Sequence, residues 1–166
     1  MRLESLNGLP RGDVPRGLVL RTFHSGDEPG WASLMTGAIG EWNEESTKRE
    51  FLSDPGVRRE GVFLLAAGER LVATATDKRL SDSDAGYLHM VAVAPDYWGK
   101  GLGTFISIAA LRHMRERGCE QAILDTDDFR LPAIRIYLAL GFMPEMMEAD
   151  HSERWQGVTA QLNAWT

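Results

Sequence analysis

In VAVAPDYWGKGLGTFISIAALRHMRERG, residues 91–118, a β-type run passes through three glycines in five residues and into one long apolar helix. Glycine costs stability wherever its conformational freedom is not needed, so a cluster at a strand–helix junction marks a place where something approaches the backbone. Two phosphate-binding patterns fail on spacing. A P-loop needs Gly-x4-Gly-Lys-Ser/Thr, and Lys100 is followed by Gly101. A dinucleotide fingerprint needs a third glycine where Ile106 stands. The general device remains: free amides and a partial positive charge at a helix N-terminus, with Gly99, Gly101 and Gly103 removing the Cβ atoms that would hold a phosphate away. The competing interpretation is a tight turn and nothing more. Arg112, Arg115 and Arg117 suit the far end of the helix dipole, and Gly118 ends it.

Working outward, LVLRTF (18–23) reads as a first strand. Trp31, Leu34, Met35, Ala38, Ile39 and Trp42 recur at helical spacing, with Asp27 as N-cap before Pro29. A second short helix is expected over 46–52. GVFLLAA and LVATATD, separated by GER, read as a hairpin. YLHMVAV (87–93), nearly all apolar, is expected to be buried on both faces. CEQAILDT follows as a strand, then a helix near 132–140 closed by Gly141, and HSERWQGV with AQLNAW is expected to supply a last strand and a terminal turn or helix. This order implies an α/β fold: a central mixed, mostly antiparallel sheet of six or seven strands flanked by helices. Residues 1–16, rich in Gly, Pro and Arg, are expected to form a flexible lead-in, and 17–166 a single domain.

The composition narrows the function. A chain of 166 residues with 43% hydrophobic and 25% charged content is ordinary for a soluble globular protein. A net charge of −6 argues against nucleic acid as the main partner. No apolar run is long enough for a membrane span, and the start lacks a signal-peptide core. Cys119 is the only cysteine, which excludes an internal disulfide and points to a reduced, cytoplasmic setting. The four histidines show no metal-ligand spacing, so no metal is expected.

VAVAPDYWGKGLGT, followed one helix and one strand later by AIRIYLALGF, resembles the GCN5-related N-acetyltransferases, which transfer an acyl group from acyl-coenzyme A to an amine. Val91, Val93 and Pro95, then Gly101 and Gly103, fit the family's first motif. Trp98 replaces its usual Arg or Gln. Ala133, Tyr137, Gly141 and Phe142 fit the second, with Arg130 where Asn is common. The resemblance is clear over residues 61–145. It implies a splayed strand pair that receives the pantetheine arm of acetyl-CoA along Val91, Ala92 and Val93, the amides of Val91 and Val93 binding it. One such amide aimed at the thioester oxygen would supply ~3 kcal/mol toward the tetrahedral intermediate of a direct attack. The pyrophosphate would rest on the loop Trp98, Gly99, Lys100, Gly101, Leu102, Gly103 and Thr104, with Arg130, Ala133 and Tyr137 nearby. By the same resemblance Tyr137 protonates the departing thiolate.

A general base is less clearly marked. His89 shares a strand face with Val91 on a regular strand, and its ordinary pKa suits the role. Glu41, Glu44, Glu45 and Asp125 are the other candidates, and water could relay the proton instead. Trp31 and Trp42 are candidates to stack on a cationic substrate, against the alternative that both are core. His151 and Trp155 would complete the acceptor pocket or pair two copies into a homodimer. The expected function is an N-acetyltransferase acting on a primary amine of a small molecule or peptide. The alternative is a non-catalytic acyl-CoA-binding sensor.

Overall fold

The computed structural model describes residues 1–164. Six strands, β1 (Arg2–Leu3), β2 (Val19–Thr22), β3 (Val57–Ala67), β4 (Arg70–Lys78), β5 (Gly86–Val93) and β6 (Ala122–Ile123), form one sheet in the order β1-β6-β5-β4-β3-β2. Every neighbouring pair is antiparallel except β5 and β6, so the sheet is mixed as expected. Gly68, at φ 61, and Glu69 turn β3 into β4, where the sequence places the hairpin.

Helices cover both faces. On one lie α1 (Glu28–Thr36) and α2 (Glu44–Ser46, continuing as a π-helical turn over Thr47–Leu52). The Trp31 indole N–H donates to Thr74 Oγ1 of β4, and the Trp31 ring stacks on Phe51 at 4.2 Å. The Asn43 side chain accepts the Ser46 amide while the Ser46 hydroxyl accepts the Asn43 amide, a capping box that starts α2 two residues before the expected position. Asp27 is the N-cap residue of α1 as expected, its carbonyl accepting the Trp31 amide, but its side chain makes no capping bond. Its carboxylate takes two bonds from Arg21 and the His24 amide.

The opposite face carries α3 (Leu102–Glu116), whose buried residues Leu102, Ile106, Ala110, Leu111 and Met114 run along one stripe. Beneath its C-terminal turn the Asp77 carboxylate, 2% exposed, is held by two bonds from Arg117 and one contact with His113 Nδ1 at 2.7 Å. A buried carboxylate needs such compensation. Then α4 (Leu131–Ala139) leads through Gly141, at φ 95, into α5 (His151–Ala164).

Three expectations are corrected. The first six residues are no loose lead-in: Arg2 and Leu3 pair with Ile123 and Ala122, the Leu6 amide donates to the Glu120 carbonyl, and Leu3 and Leu6 are buried. The Gly/Pro/Arg density that suggested looseness belongs to residues 8–16, whereas the two leucines before it have core to fill. The C-terminal segment is one helix and no strand, because Trp155, Val158 and Leu162 recur at helical spacing and pack on Leu131 and Ile134. Trp165, in the stretch read as a terminal turn or helix, lies outside the described residues. Finally, β5 is only half buried. Its flank beyond Tyr87 has no strand beside it on the β6 side.

Gly86 stands at the first of the two positions where β5 pairs with β6, and an added Cβ there would lie 2.4 Å from Met114 Sδ and 2.9 Å from Met114 Cβ. Gly86→Ala should lower unfolding free energy by about 1–3 kcal/mol through overpacking, measured by urea denaturation.

Candidate active site

The sheet opens between β5 and β6. They pair only at Gly86 with Ala122 and Tyr87 with Ile123, after which the strands separate. The Ala94 amide donates to Val72 on β4, so alternation turns the N–H and C=O of Val93 toward the opening. A second irregularity sits on the same strand. Thr74 pairs with Ala92 and Thr76 with His89, so between them one residue on β4 stands against two on β5, and Met90 takes up the difference at φ 49. The bulge overturns the sequence parity for His89. Its side chain shares a face with Thr76, Thr74 and Ala92, opposite to Val93.

Past Val93, Pro95–Tyr97 form a single 3₁₀ turn and the glycine loop follows. Gly99 and Gly101 have φ 73 and 75, and nothing lies within 4 Å of where their Cβ atoms would be. These two glycines leave the backbone open, and no side chain caps the N-terminus of α3. Gly103 has another purpose: an added Cβ would stand 2.8 Å from Ile136 Cδ1 and 3.7 Å from Val93 Cγ2. It lets α3 approach α4 and β5, and Leu102 beside it is buried. Thr104 is partly exposed in the first turn. Lys100 folds back, donating to the Asp96 carbonyl and lying 4.4 Å over the Tyr97 ring. Trp98 is 64% exposed, and its indole N–H donates to the Val93 carbonyl at 2.8 Å.

Tyr137 projects from α4 into the core beside Phe142, ring centroids 6.0 Å apart. Its hydroxyl has no hydrogen-bond partner among the described residues, and burial pushes its pKa up to about 12. The phenol therefore keeps its proton at neutral pH and can give it to a base that forms nearby. Ala133 lies one turn earlier, and Arg130, at the start of α4, is bonded to Asp127.

His89 sits between the rings of Phe51 and Tyr87, 6.4 and 5.4 Å away. Desolvation by burial, reinforced by the Lys78 ammonium, lowers its pKa to about 4. The imidazole is neutral at physiological pH and takes up a proton less readily than a free imidazole.

Of the acceptor-side candidates, Trp31 has no exposed surface and lies in the core, with Phe51 stacked on it and Trp42 edge-on at 5.1 Å. It offers no stacking face to a ligand. Trp42 is half-buried, its indole N–H donating to the Ile39 carbonyl. Glu41 is exposed, while Glu44 and Glu45 pair with Lys48 and Arg49 on the solvated side of α2. Asp125 is different: it accepts a hydrogen bond from the Tyr87 hydroxyl at 2.9 Å, where β5 and β6 begin to part. Tyr87 was not singled out from the sequence, where it reads as one aromatic in an apolar strand. Only the pairing of β5 with β6 brings it to Asp125. Asp125 also lines a cavity of about 180 Å³ with Met1, Ile134, Glu145, His151 and Trp155. Glu148, Asp150 and His151 place ligand-type atoms within 4.8 Å of one another on the surface nearby. His151 Nδ1 is already engaged by the Met147 amide.

This arrangement agrees with comparisons to known proteins. The model of the acetyltransferase (GNAT) family matches residues 28–142, and the chain belongs to that family. It is 34% identical over 154 residues to a mycothiol acetyltransferase of Thermobispora bispora, covering 86% of this chain and 52% of that protein. To a mycothiol acetyltransferase of Saccharomonospora viridis it is 32% identical over 155 residues, covering 85% and 50%. The chain thus spans about half the length of the curated relatives it matches. In fold it is similar to a GCN5-related N-acetyltransferase from Sphaerobacter thermophilus, with TM-score 0.65, 21% identity and coverage of 87% and 47%. A Trypanosoma brucei acetyltransferase matches with TM-score 0.62 and 21% identity, over 79% of this chain and 96% of that one.

The lowered pKa of His89 carries a stability signature. Between its ordinary value of 6.5 and about 4, the unfolded chain takes up a proton that the native site refuses. Stability therefore falls as pH drops through that window. Urea denaturation of wild type and His89→Gln at several pH values across it should show a weaker pH dependence in the variant.

Proposed function

We propose that the chain is an acyl-CoA-dependent N-acetyltransferase that moves an acetyl group from acetyl-CoA to the primary amine of a small molecule. One observation carries this reading: a strand edge left unpaired beyond Tyr87 runs directly into a glycine loop whose two open glycines precede an uncapped helix N-terminus. An extended amide-bearing arm can pair with the edge, and a pyrophosphate can rest on the loop. The residues present fit such a donor. Coenzyme A presents the acetyl group as a thioester, open to attack by an amine.

The chain's own residues then have distinct tasks. The Val93 amide, turned into the opening, can pair with the pantetheine arm, and Val91, beside the bulge, lies next along the same edge. The amides following Gly99 and Gly101 hold the phosphates with little side-chain help, since Lys100 is committed to Asp96 and Tyr97. Tyr137 keeps its proton until a thiolate appears, then supplies it. A small acceptor is favoured by the cavity of about 180 Å³ beside Asp125 and by the mycothiol named in the relatives. The weakness of His89 as a base supports a second reading, an acyl-CoA sensor that binds the donor without turning it over.

Acetyl-CoA and CoA at about 100 times their Kd should each add roughly 2.7 kcal/mol of stability, seen as a rise in Tm that ATP does not reproduce. Absence of any shift at millimolar CoA overturns the acyl-CoA reading. Tyr137→Phe should keep the shift and lose roughly 10²-fold or more in kcat. A sensor would bind acetyl-CoA and show no turnover in either form.

A further inference from the structure

The face of α3 turned away from the β5–β6 opening borders a second cavity. Gly103 faces Ile136 and Val93, and Phe105, two residues on, lies about 200° round the helix. From there Phe105, Ile108, Ala109, Arg112 and Glu116 recur at helical spacing and line one side of a cavity of about 280 Å³. Leu20 and Phe63 line the opposite side. They share one face of the β2–β3 pair, since Leu20 stands opposite Leu65 and Leu65 is two residues from Phe63. β2 is the edge strand of the sheet, so the third side is closed by a strap over residues 10–14. A Cβ on Gly12 of the strap would lie 3.8 Å from Phe105 Cδ2.

This cavity is polar at one end only. Along α3 the apolar Phe105, Ile108 and Ala109 come first, and Arg112, His113 and Glu116 follow, with about 10 Å of helix between Phe105 and Arg112. The His113 ring is pinned. Its Nδ1 contacts Asp77 Oδ2 at 2.7 Å, and its edge meets Phe63 with centroids 5.5 Å apart. The arginines are uncommitted: half-buried Arg112 and exposed Arg11 of the strap have no ion pair among the described residues, in a chain of net charge −6. A guanidinium partly withdrawn from water favours a counter-charge beside it. Glu116, at the same end, limits that counter-charge to one, because a second would face its carboxylate.

We propose that this cavity is a second ligand site, separate from the acetyl-donor opening, that takes a medium-chain monocarboxylate, with the alkyl chain against Leu20, Phe63, Phe105 and Ile108 and the carboxylate at Arg112 and Arg11. A guanidinium fork matches a carboxylate with two parallel hydrogen bonds, and a chain lying along α3 meets apolar side chains over its length. An ammonium head on the same chain would face two cations. The site does not depend on acetyl transfer, because none of its walls belongs to the β5–β6 opening or to the glycine loop.

Calorimetric titration of the whole chain at neutral pH with octanoate, butyrate and octylamine tests the proposal. Octanoate should bind saturably at millimolar concentration or below, butyrate roughly 10²-fold more weakly for want of buried methylenes, and octylamine not at all. Arg112→Gln should weaken octanoate roughly 10-fold, and Ile108→Asn should do the same from the apolar end. Both side chains are partly exposed, and an unchanged urea midpoint shows that the variants are folded. Excess CoA should leave octanoate in place. No saturable binding of octanoate at millimolar concentration overturns the proposal, as does equal binding of octylamine. Displacement of octanoate by CoA, or an affinity indifferent to both substitutions, puts the ligand elsewhere and overturns it too. So does a wild-type dimer, seen by sedimentation, that Ile108→Asn dissociates, since this face would then belong to a second copy.

Discussion

From Leu88 to Val93 the strand β5 is hydrogen-bonded along one edge only. Unpaired backbone amides and carbonyls inside a protein are costly, and here nothing from β6 reaches them. The strand is held in place from its other edge by β4, and from its two faces by α3 and by the aromatic group of Trp31 and Phe51. Those supports let a gap persist in a sheet that would otherwise close. The exposed edge and the glycine loop at its end both take their positions from that gap.

The gap is bounded by small, separate devices. At its floor, Gly86 lets Met114 of α3 press against the start of the short β5–β6 pairing. Along its side, the bulge at Met90 turns His89 onto the α1–α2 face, where desolvation lowers its pKa. At its mouth, Trp98 uses its indole N–H on the Val93 carbonyl, in a place where the family motif has an Arg or Gln. Where the strands begin to part, Tyr87 and Asp125 bridge them with a hydrogen bond. Each is a local answer to one problem: a polar edge left open must still be shaped and partly satisfied.

Several features were legible in the sequence for physical reasons that act over short range. Gly99 and Gly101 adopt positive φ, which few other residues tolerate, so their role is visible from composition. Gly141 after α4 and Gly68 between β3 and β4 are legible in the same way. The helical spacing of α3 and α4 was equally plain, whereas α1 stops at Thr36 although the spacing runs on to Trp42. Gly103 looked like its two neighbours and proved different, because what it contacts, Ile136, comes from a helix 33 residues away. The C-terminal helix was misread because its apolar stripe is sparse, three residues that pack on Leu131 and Ile134.

By itself the sequence determined the family, the mixed sheet with its helices and the open glycine turn, since each follows from local backbone chemistry or from motif spacing. Tertiary structure decided the rest. Alternation along β5 assigns His89 and Val93 to one face, and only pairing with β4 reveals the bulge that separates them. Charge and residue type made Glu41, Glu44, Glu45 and Asp125 comparable carboxylates. Only the packing of β6 against β5 brings Asp125, and not the others, within hydrogen-bond reach of Tyr87. Residue type travels with the chain, but pKa, facing and partnership depend on neighbours that folding supplies from far along it.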